Sequence, residues 1–221
     1  IISDKINLTF LIEETERFVI ERINIYGNNI TRENVIRNNL EIDEGDIFND
    51  LLTKKSENNI KSLNLFKKVK TRVVDGKNDN SKIIEINVEE KATGEISAGA
   101  GFGTDGGTIS FGVKENNYLG KGVKLNTDIS INKESLRGKV GLSNPNYKNS
   151  DTAVYGDILF TEIDRLADFG YKTNKKGFVV GTSFEYLNDL NLGLGTSTFY
   201  EEIEADSSAS SLQKKQAGDY W

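Results

Sequence analysis

Histidine and cysteine do not occur anywhere in this chain of 221 residues. Without histidine there is no imidazole general base and no imidazole metal ligand. Without cysteine there is no disulfide framework, no thiolate metal site and no thiol nucleophile. Positive charge is also short. A formal net charge of −6 and a pI near 5.0 argue against a nucleic-acid partner, because phosphate neutralisation needs a basic surface. No apolar run approaches the roughly 20 residues of a membrane helix. Mean hydropathy is −0.48, polar for a globular core, yet 11 Phe and 8 Tyr supply large apolar anchors. The chain starts at Ile1, carries no signal sequence and stops at "GDYW", so it is expected to be an internal piece of a longer protein.

The first part alternates between two periods. "KINLTFLIEE" and "RFVIERINIYGNN" read as strands, the second ending in a turn signal. Thr31 is placed to cap a short helix whose apolar side is Val35, Ile36 and Leu40, with Glu33 in its first turn. "EIDEGDIFND" leads to a longer helix with Leu52, Ser56, Ile60 and Leu63 at helical spacing, closed by Leu65 and Phe66. "KKVKTRVVDG" and "SKIIEINVEEK" are two further strands joined by the polar loop "DGKNDN". Residues 17–91 thus read β-α-α-β-β, a compact α+β unit. "INLTFLIEET" and "IIEINVEEKAT" echo each other one whole unit apart, so residues 1–15 are expected to be the last strand of a preceding copy.

"GAGFGTDGG" contains Gly101-Phe102-Gly103-Thr104-Asp105-Gly106, which fits the dinucleotide pattern G-x-G-x-x-G. That pattern needs a helix after it to seat the pyrophosphate. Here "GTISFGVKEN" alternates as a second strand, so the nucleotide reading fails. The glycines sort by face instead. Ile96, Ala98, Ala100 and Phe102 point one way, and Glu95, Ser97, Gly99, Gly101 and Gly103 the other, with "TDGG" as a tight hairpin turn.

No helical period returns after Thr93. "GVKLNTDISI", "SLRGKVGLSN" and "FVVGTSFEY" repeat the alternation, while Leu159 and Phe199 fall on the wrong face of their segments. About seven antiparallel strands of nine to thirteen residues are expected. Two architectures carry such a pattern. A soluble sandwich or solenoid buries the apolar face, and a membrane barrel turns it to lipid around a wet lumen. Strand length beyond the usual five or six residues, charged polar faces, and Phe102, Tyr118, Phe160, Phe178 and Tyr200 near strand ends favour the barrel.

Enzyme chemistry finds no footing. Glu13-Glu14, Glu89-Glu90 and Glu201-Glu202 are adjacent in strands, so each pair splits across two faces and cannot act as an acid–base couple. "DEGD" is too short for an EF-hand calcium loop. No cofactor and no metal are expected, and the chain reads as a non-enzyme.

The order of the parts, an α+β unit followed by a membrane-type β series, resembles the outer-membrane protein assembly factors of the BamA family. "FVIERINIYGNN", "LEIDEGDIFN", "SLNLFKKV", "GAGFGTDGG", "NNYLGKG" and "LSNPNY" carry the resemblance over nearly the whole chain. The family's Asn-Pro-Tyr periplasmic turn is interrupted here by Asn146.

The resemblance implies an α+β POTRA domain (β-α-α-β-β) at 16–92, with 1–15 the last strand of a preceding POTRA repeat. Residues 93–221 would then be antiparallel strands of a transmembrane β-barrel, incomplete in this piece. It implies insertion of unfolded outer-membrane proteins into the outer membrane, the POTRA domain lying in the periplasm. A client would add to an exposed edge of the POTRA sheet. The glycine-rich strand holding Ile96, Ala98, Gly99, Ala100, Gly101, Phe102 and Gly103 would be a weakly pairing barrel seam, unless its glycines merely relieve crowding. Arg37 and Glu44 would contact an accessory periplasmic lipoprotein, and outer-membrane lipid would be the remaining partner. A POTRA-barrel secretion translocator and a soluble periplasmic binding protein with an all-β domain are the rival readings. The last would bury Phe102, Ile109 and Leu125 in a dry core.

Overall fold

Ile84, Ile86 and Val88 alternate along one strand with side chains on the same face, and all three are buried. They form the centre of the first unit in a computed structural model that describes residues 16–103, 106–187 and 190–221. The expected strand before residue 16 lies outside the described residues. Strand β1 (Val19–Tyr26) runs parallel to β3 (Ser81–Glu90), and β2 (Phe66–Asp75) pairs antiparallel to its other side, giving the order β1-β3-β2. Helices α1 (Glu33–Arg37) and α2 (Asp50–Ser62) complete the unit. The side chains of Ile20, Ile23, Ile36, Ile60, Leu65 and Val69 join the β3 residues in one apolar cluster.

Local chemistry sets the helix boundaries. The Asn49 carboxamide oxygen accepts from the backbone N–H groups of Leu51 and Leu52, at 2.9 and 3.3 Å, and caps α2. Ion pairs Asp50–Lys54 and Glu57–Lys61 lie one turn apart on its outer side. The buried side of α2 is Thr53, Ser56 and Ile60; Leu52, expected on that side, is exposed. Thr53 takes its place because its hydroxyl donates to the Asn49 carbonyl and can be buried satisfied. Thr31 is likewise not the cap of α1. Arg32 stands at that position without a side-chain cap, and Thr31 is buried in a different network described below.

The second unit is a single antiparallel sheet of eight strands in the order β11-β10-β9-β8-β7-β6-β5-β4. The strands are β4 (Gly94–Gly103), β5 (Gly106–Tyr118), β6 (Val123–Asn132), β7 (Ser135–Asn144), β8 (Ala153–Arg165), β9 (Tyr171–Leu187), β10 (Leu190–Ala205) and the short β11 (Gly218–Tyr220). β9 and β10 have 17 and 16 residues, longer than expected. Two short helices, α3 (Leu166–Phe169) and α4 (Ser211–Gln216), interrupt what reads as pure strand sequence. α3 ends at Gly170 with φ of 74°, and a Ser210–Gln213 capping box starts α4, so local turn chemistry rather than apolar periodicity makes both.

Registry keeps one face apolar across the sheet. Ile109 stands opposite Ile131, Phe111 opposite Ile129, Leu125 opposite Leu142, and Ile158 opposite Phe178. This face is uncovered: Phe102 is 95% exposed and Ile109 49%. A continuous apolar face opposite a polar one is the pattern of barrel strands that turn one side to lipid. The opposite face is polar, and its exceptions have a packing reason. Leu159 and Phe199 both lie opposite Gly177, and a Cβ there would sit 2.6 Å from the Phe199 ring. Tyr155 lies in the same way over Gly181. Large side chains on this face therefore cover glycines of neighbouring strands.

Ile60 is wholly buried against the three-stranded sheet, so Ile60→Ala should destabilise the first unit by about 2–5 kcal/mol. Hydrogen exchange should then show β3 amides opening earlier while β6 to β8 amides stay protected.

Candidate functional site

Three places carry the candidate functional residues: the join between the two units, the free edge of the eight-stranded sheet, and the outer edge of β1.

The join is built around a carboxylate. Glu90 ends β3, and its side chain accepts from the backbone N–H groups of Asn29 (3.0 Å), Ile30 (3.0 Å) and Thr31 (2.6 Å). Three successive amides turned on one anion form a nest. Burial pushes the Glu90 pKa up, but hydrogen bonding from Thr31, Ile30 and Asn29 outweighs it and holds the carboxyl below the usual range. The loop so fixed presents Thr31, whose Oγ1 accepts from Asn117 Nδ2 at 2.8 Å. Asn117 Oδ1 accepts from Gly122 N at 2.8 Å, and Arg32 N donates to Gly120 O at 2.8 Å. The β5–β6 turn is thereby docked onto the first unit. Gly120 (φ 70°) must be glycine: a Cβ there would lie 2.1 Å from the Ile30 carbonyl oxygen. A second contact comes from the β7–β8 turn, where Asn149 Oδ1 accepts from Asn34 and Asn38 at 3.0 and 3.2 Å. None of these roles was legible beforehand. The "NNYLGKG" string carries the resemblance, but its partners, Thr31 and Arg32, are remote in sequence.

The free edge is β4. Among the described residues it pairs with β5 alone, from Gly94 opposite Glu115 to Gly103 opposite Gly106, and every residue in it is exposed. Ile96, Ala98, Ala100 and Phe102 continue the apolar face beside Val113, Phe111 and Ile109. On the other face a Cβ at Gly101 or Gly103 would meet nothing within 4 Å, and one at Gly99 would meet only Ser110 Oγ at 3.0 Å. Crowding within the described residues therefore does not demand these glycines. The expected hairpin turn falls partly on residues 104 and 105, outside the described residues.

Arg37 and Glu44 are brought together. Arg37 Nε pairs with Glu33 at 2.6 Å, and Arg37 Nη1 stands 3.6 Å from Glu44 Oε1. They bracket one residue of β1: Ile23 N donates to Glu44 Oε1 and Ile23 O accepts from Arg37 Nη2, both at 3.0 Å. Further along, Ile20 N donates to Asp46 O and Gly45 N to Ile20 O. The outer edge of β1 is thus occupied by its own loop as far as Ile23. β2 is the other edge, where Glu57 Oε2 accepts from Thr71 N at 3.0 Å.

A three-stranded α+β unit docked onto the turns of an unclosed antiparallel sheet, apolar on one face and polar on the other, is the arrangement of a POTRA domain joined to strands of a β-barrel. Residues 18–91 match the POTRA family, described as a surface antigen variable number repeat. The chain is similar to the outer membrane protein assembly factor BamA of Neorickettsia risticii, 27% identical over 222 residues, covering 98% of this chain and 29% of that protein. It is also similar to BamA of Buchnera aphidicola, 29% identical over 202 residues, covering 86% and 32%. Among solved structures, BamA from Haemophilus ducreyi lacking POTRA domains 1–3 superposes with a TM-score of 0.74 at 21% identity, covering 87% of this chain and 37% of that one. CdiB from Escherichia coli gives 0.50 at 14% identity, covering 84% and 41%. The resemblance is to BamA, over a POTRA domain and the barrel strands that follow it. The chain spans about a third of the length of the curated relatives it matches.

The lowered Glu90 pKa fixes the sign of a pH effect. Its contribution to docking is complete above the ordinary carboxylate value of about 4.3, and is lost as pH falls through the lower folded value. The chain lacks cysteine, so Asp79→Cys and Lys133→Cys can carry a spin-label pair across the join in the full-length protein. The distance distribution should broaden in acid. Glu90→Gln should broaden it already at pH 7 and remove the pH dependence.

Proposed function

We propose that this chain is the working centre of an outer-membrane protein assembly factor. Its POTRA domain receives unfolded outer-membrane proteins and its first barrel strand templates their insertion. The observation that carries the reading is β4, an edge strand with unpaired backbone groups, an apolar lipid face and an almost bare opposite face. Such a strand offers hydrogen bonds to any client strand and little side-chain packing to hold a permanent partner. In the full-length protein β4 would close the barrel against the last strand, and that seam would open sideways to a client. The seam residues are Ile96, Ala98, Gly99, Ala100, Gly101, Phe102 and Gly103.

On the periplasmic side, residues 16–92 form the domain that receives clients, and residues 1–15 belong to a preceding repeat. Because the loop at 44–48 occupies β1, client strands would add at β2, displacing the Glu57 carboxylate from Thr71 N. Arg37 and Glu44, about half exposed beside Ile23, would meet an accessory periplasmic lipoprotein. The function is assembly rather than catalysis.

The test uses the full-length protein in liposomes, timing the folding of a small unfolded outer-membrane barrel against empty liposomes. Faster folding is expected. Gly99→Val and Gly101→Val should abolish the acceleration while leaving the protein folded, because Gly101 has open space, a Cβ at Gly99 meets only the Ser110 hydroxyl, which can rotate away, and valine strengthens strand pairing. Passage of a cargo chain through the lumen without faster insertion would move the reading to secretion.

A further inference from the structure

Between the POTRA domain and the barrel turns lies a cavity of about 310 Å³. Its charged lining is of one sign: Arg32 from the POTRA side, and Lys121, Lys124 and Lys148 from the β5–β6 and β7–β8 turns and the start of β6. Six asparagines line it as well, and no aspartate or glutamate does. That runs against the chain as a whole, where 34 acidic residues outnumber 28 basic ones. Among the described residues none of the four cations is in an ion pair; the one further contact of a charged head is Lys148 over the Tyr147 ring at 5.5 Å. Four like charges around one cavity repel, and a bound anion relieves that repulsion.

The surroundings select the anion. The cavity lies at the strand ends, where the apolar face of the sheet stops. At the same two turns, within two residues of lining residues in sequence, Tyr118 and Tyr147 are each about 40% exposed and Leu119 is 66% exposed. Tyrosine and an exposed leucine next to lysine mark the headgroup level of a bilayer. Val35 and Leu65 add an apolar wall that a free inorganic anion would not need. We infer that this cavity binds the phosphate headgroup of an anionic phospholipid of the periplasmic leaflet, clamped between the POTRA domain and the barrel. Ammonium and guanidinium groups hold the phosphate oxygens, and the asparagine amides serve the glycerol or headgroup hydroxyls. The inference needs only that the strands lie in a membrane, and stands apart from whether clients are inserted there.

The test is a lipid titration of the delipidated full-length protein in neutral detergent, read by native mass spectrometry. Phosphatidylglycerol is expected to bind with a tight first site. Lys121→Gln with Lys148→Gln should weaken that site about tenfold, and Lys121→Arg with Lys148→Arg should retain it. Lys133→Gln with Lys215→Gln, at the opposite end of the barrel, should leave it unchanged. Two further arms titrate inorganic phosphate and a glutamate-rich peptide. Equal lipid binding by all variants would overturn the inference. So would saturation of the site by phosphate alone, or by the peptide in preference to lipid.

Discussion

A single carboxylate seated on three backbone amides governs how the two halves of this molecule meet. Glu90 is the last residue of the central POTRA strand, and the Asn29–Thr31 loop closes over its side chain. That closure presents Thr31 to Asn117 and Arg32 to Gly120, so the position of the β5–β6 turn follows from it. The interaction suits the task. A nest of N–H groups binds an anion without demanding any particular side chain in the loop, and it is directional enough to set an orientation.

The barrel sheet solves a different problem. Its apolar face has no protein partner among the described residues, and its polar face must fit side chains into a curved wall. Glycine on the polar face serves two purposes. At Gly177 and Gly181 it makes room for Phe199 and Tyr155 from adjacent strands, whereas at Gly101 and Gly103 nothing fills the space. The same residue type therefore marks dense packing in the middle of the sheet and bareness at its edge. Only the neighbours decide which.

Much of the architecture was legible from periodicity, because both a half-buried POTRA strand and a barrel strand expose one face to a different solvent than the other. Ile84, Ile86 and Val88, or Ile109, Phe111 and Val113, announce their faces directly. What periodicity missed was chemistry between distant segments. Thr31 looked like a helix cap because the local string permits it, and its actual partners, reached through Glu90 and Asn117, are 59 and 86 residues away. Leu52 looked like a core residue because leucine at helical spacing normally is one, yet the adjacent Thr53 found a hydroxyl partner and took the buried side. The Arg37–Glu44 pair was singled out by resemblance, and only the structure reveals that both hold Ile23. The cationic cavity has no sequence signature, since its four charges come from three separate segments.

The docked turn also settles where force would travel. The POTRA domain grips the connection between the second and third barrel strands and touches the one between the fourth and fifth, while the first strand hangs from a three-residue link whose Thr93 is tied sideways to Glu115 and Asn116. A swing of the periplasmic domain is thus delivered one strand in from the margin, as a hand on the frame of a door rather than on its leaf. The edge strand is carried along without bearing the load. The backbone groups along its outer side have no partner among the described residues.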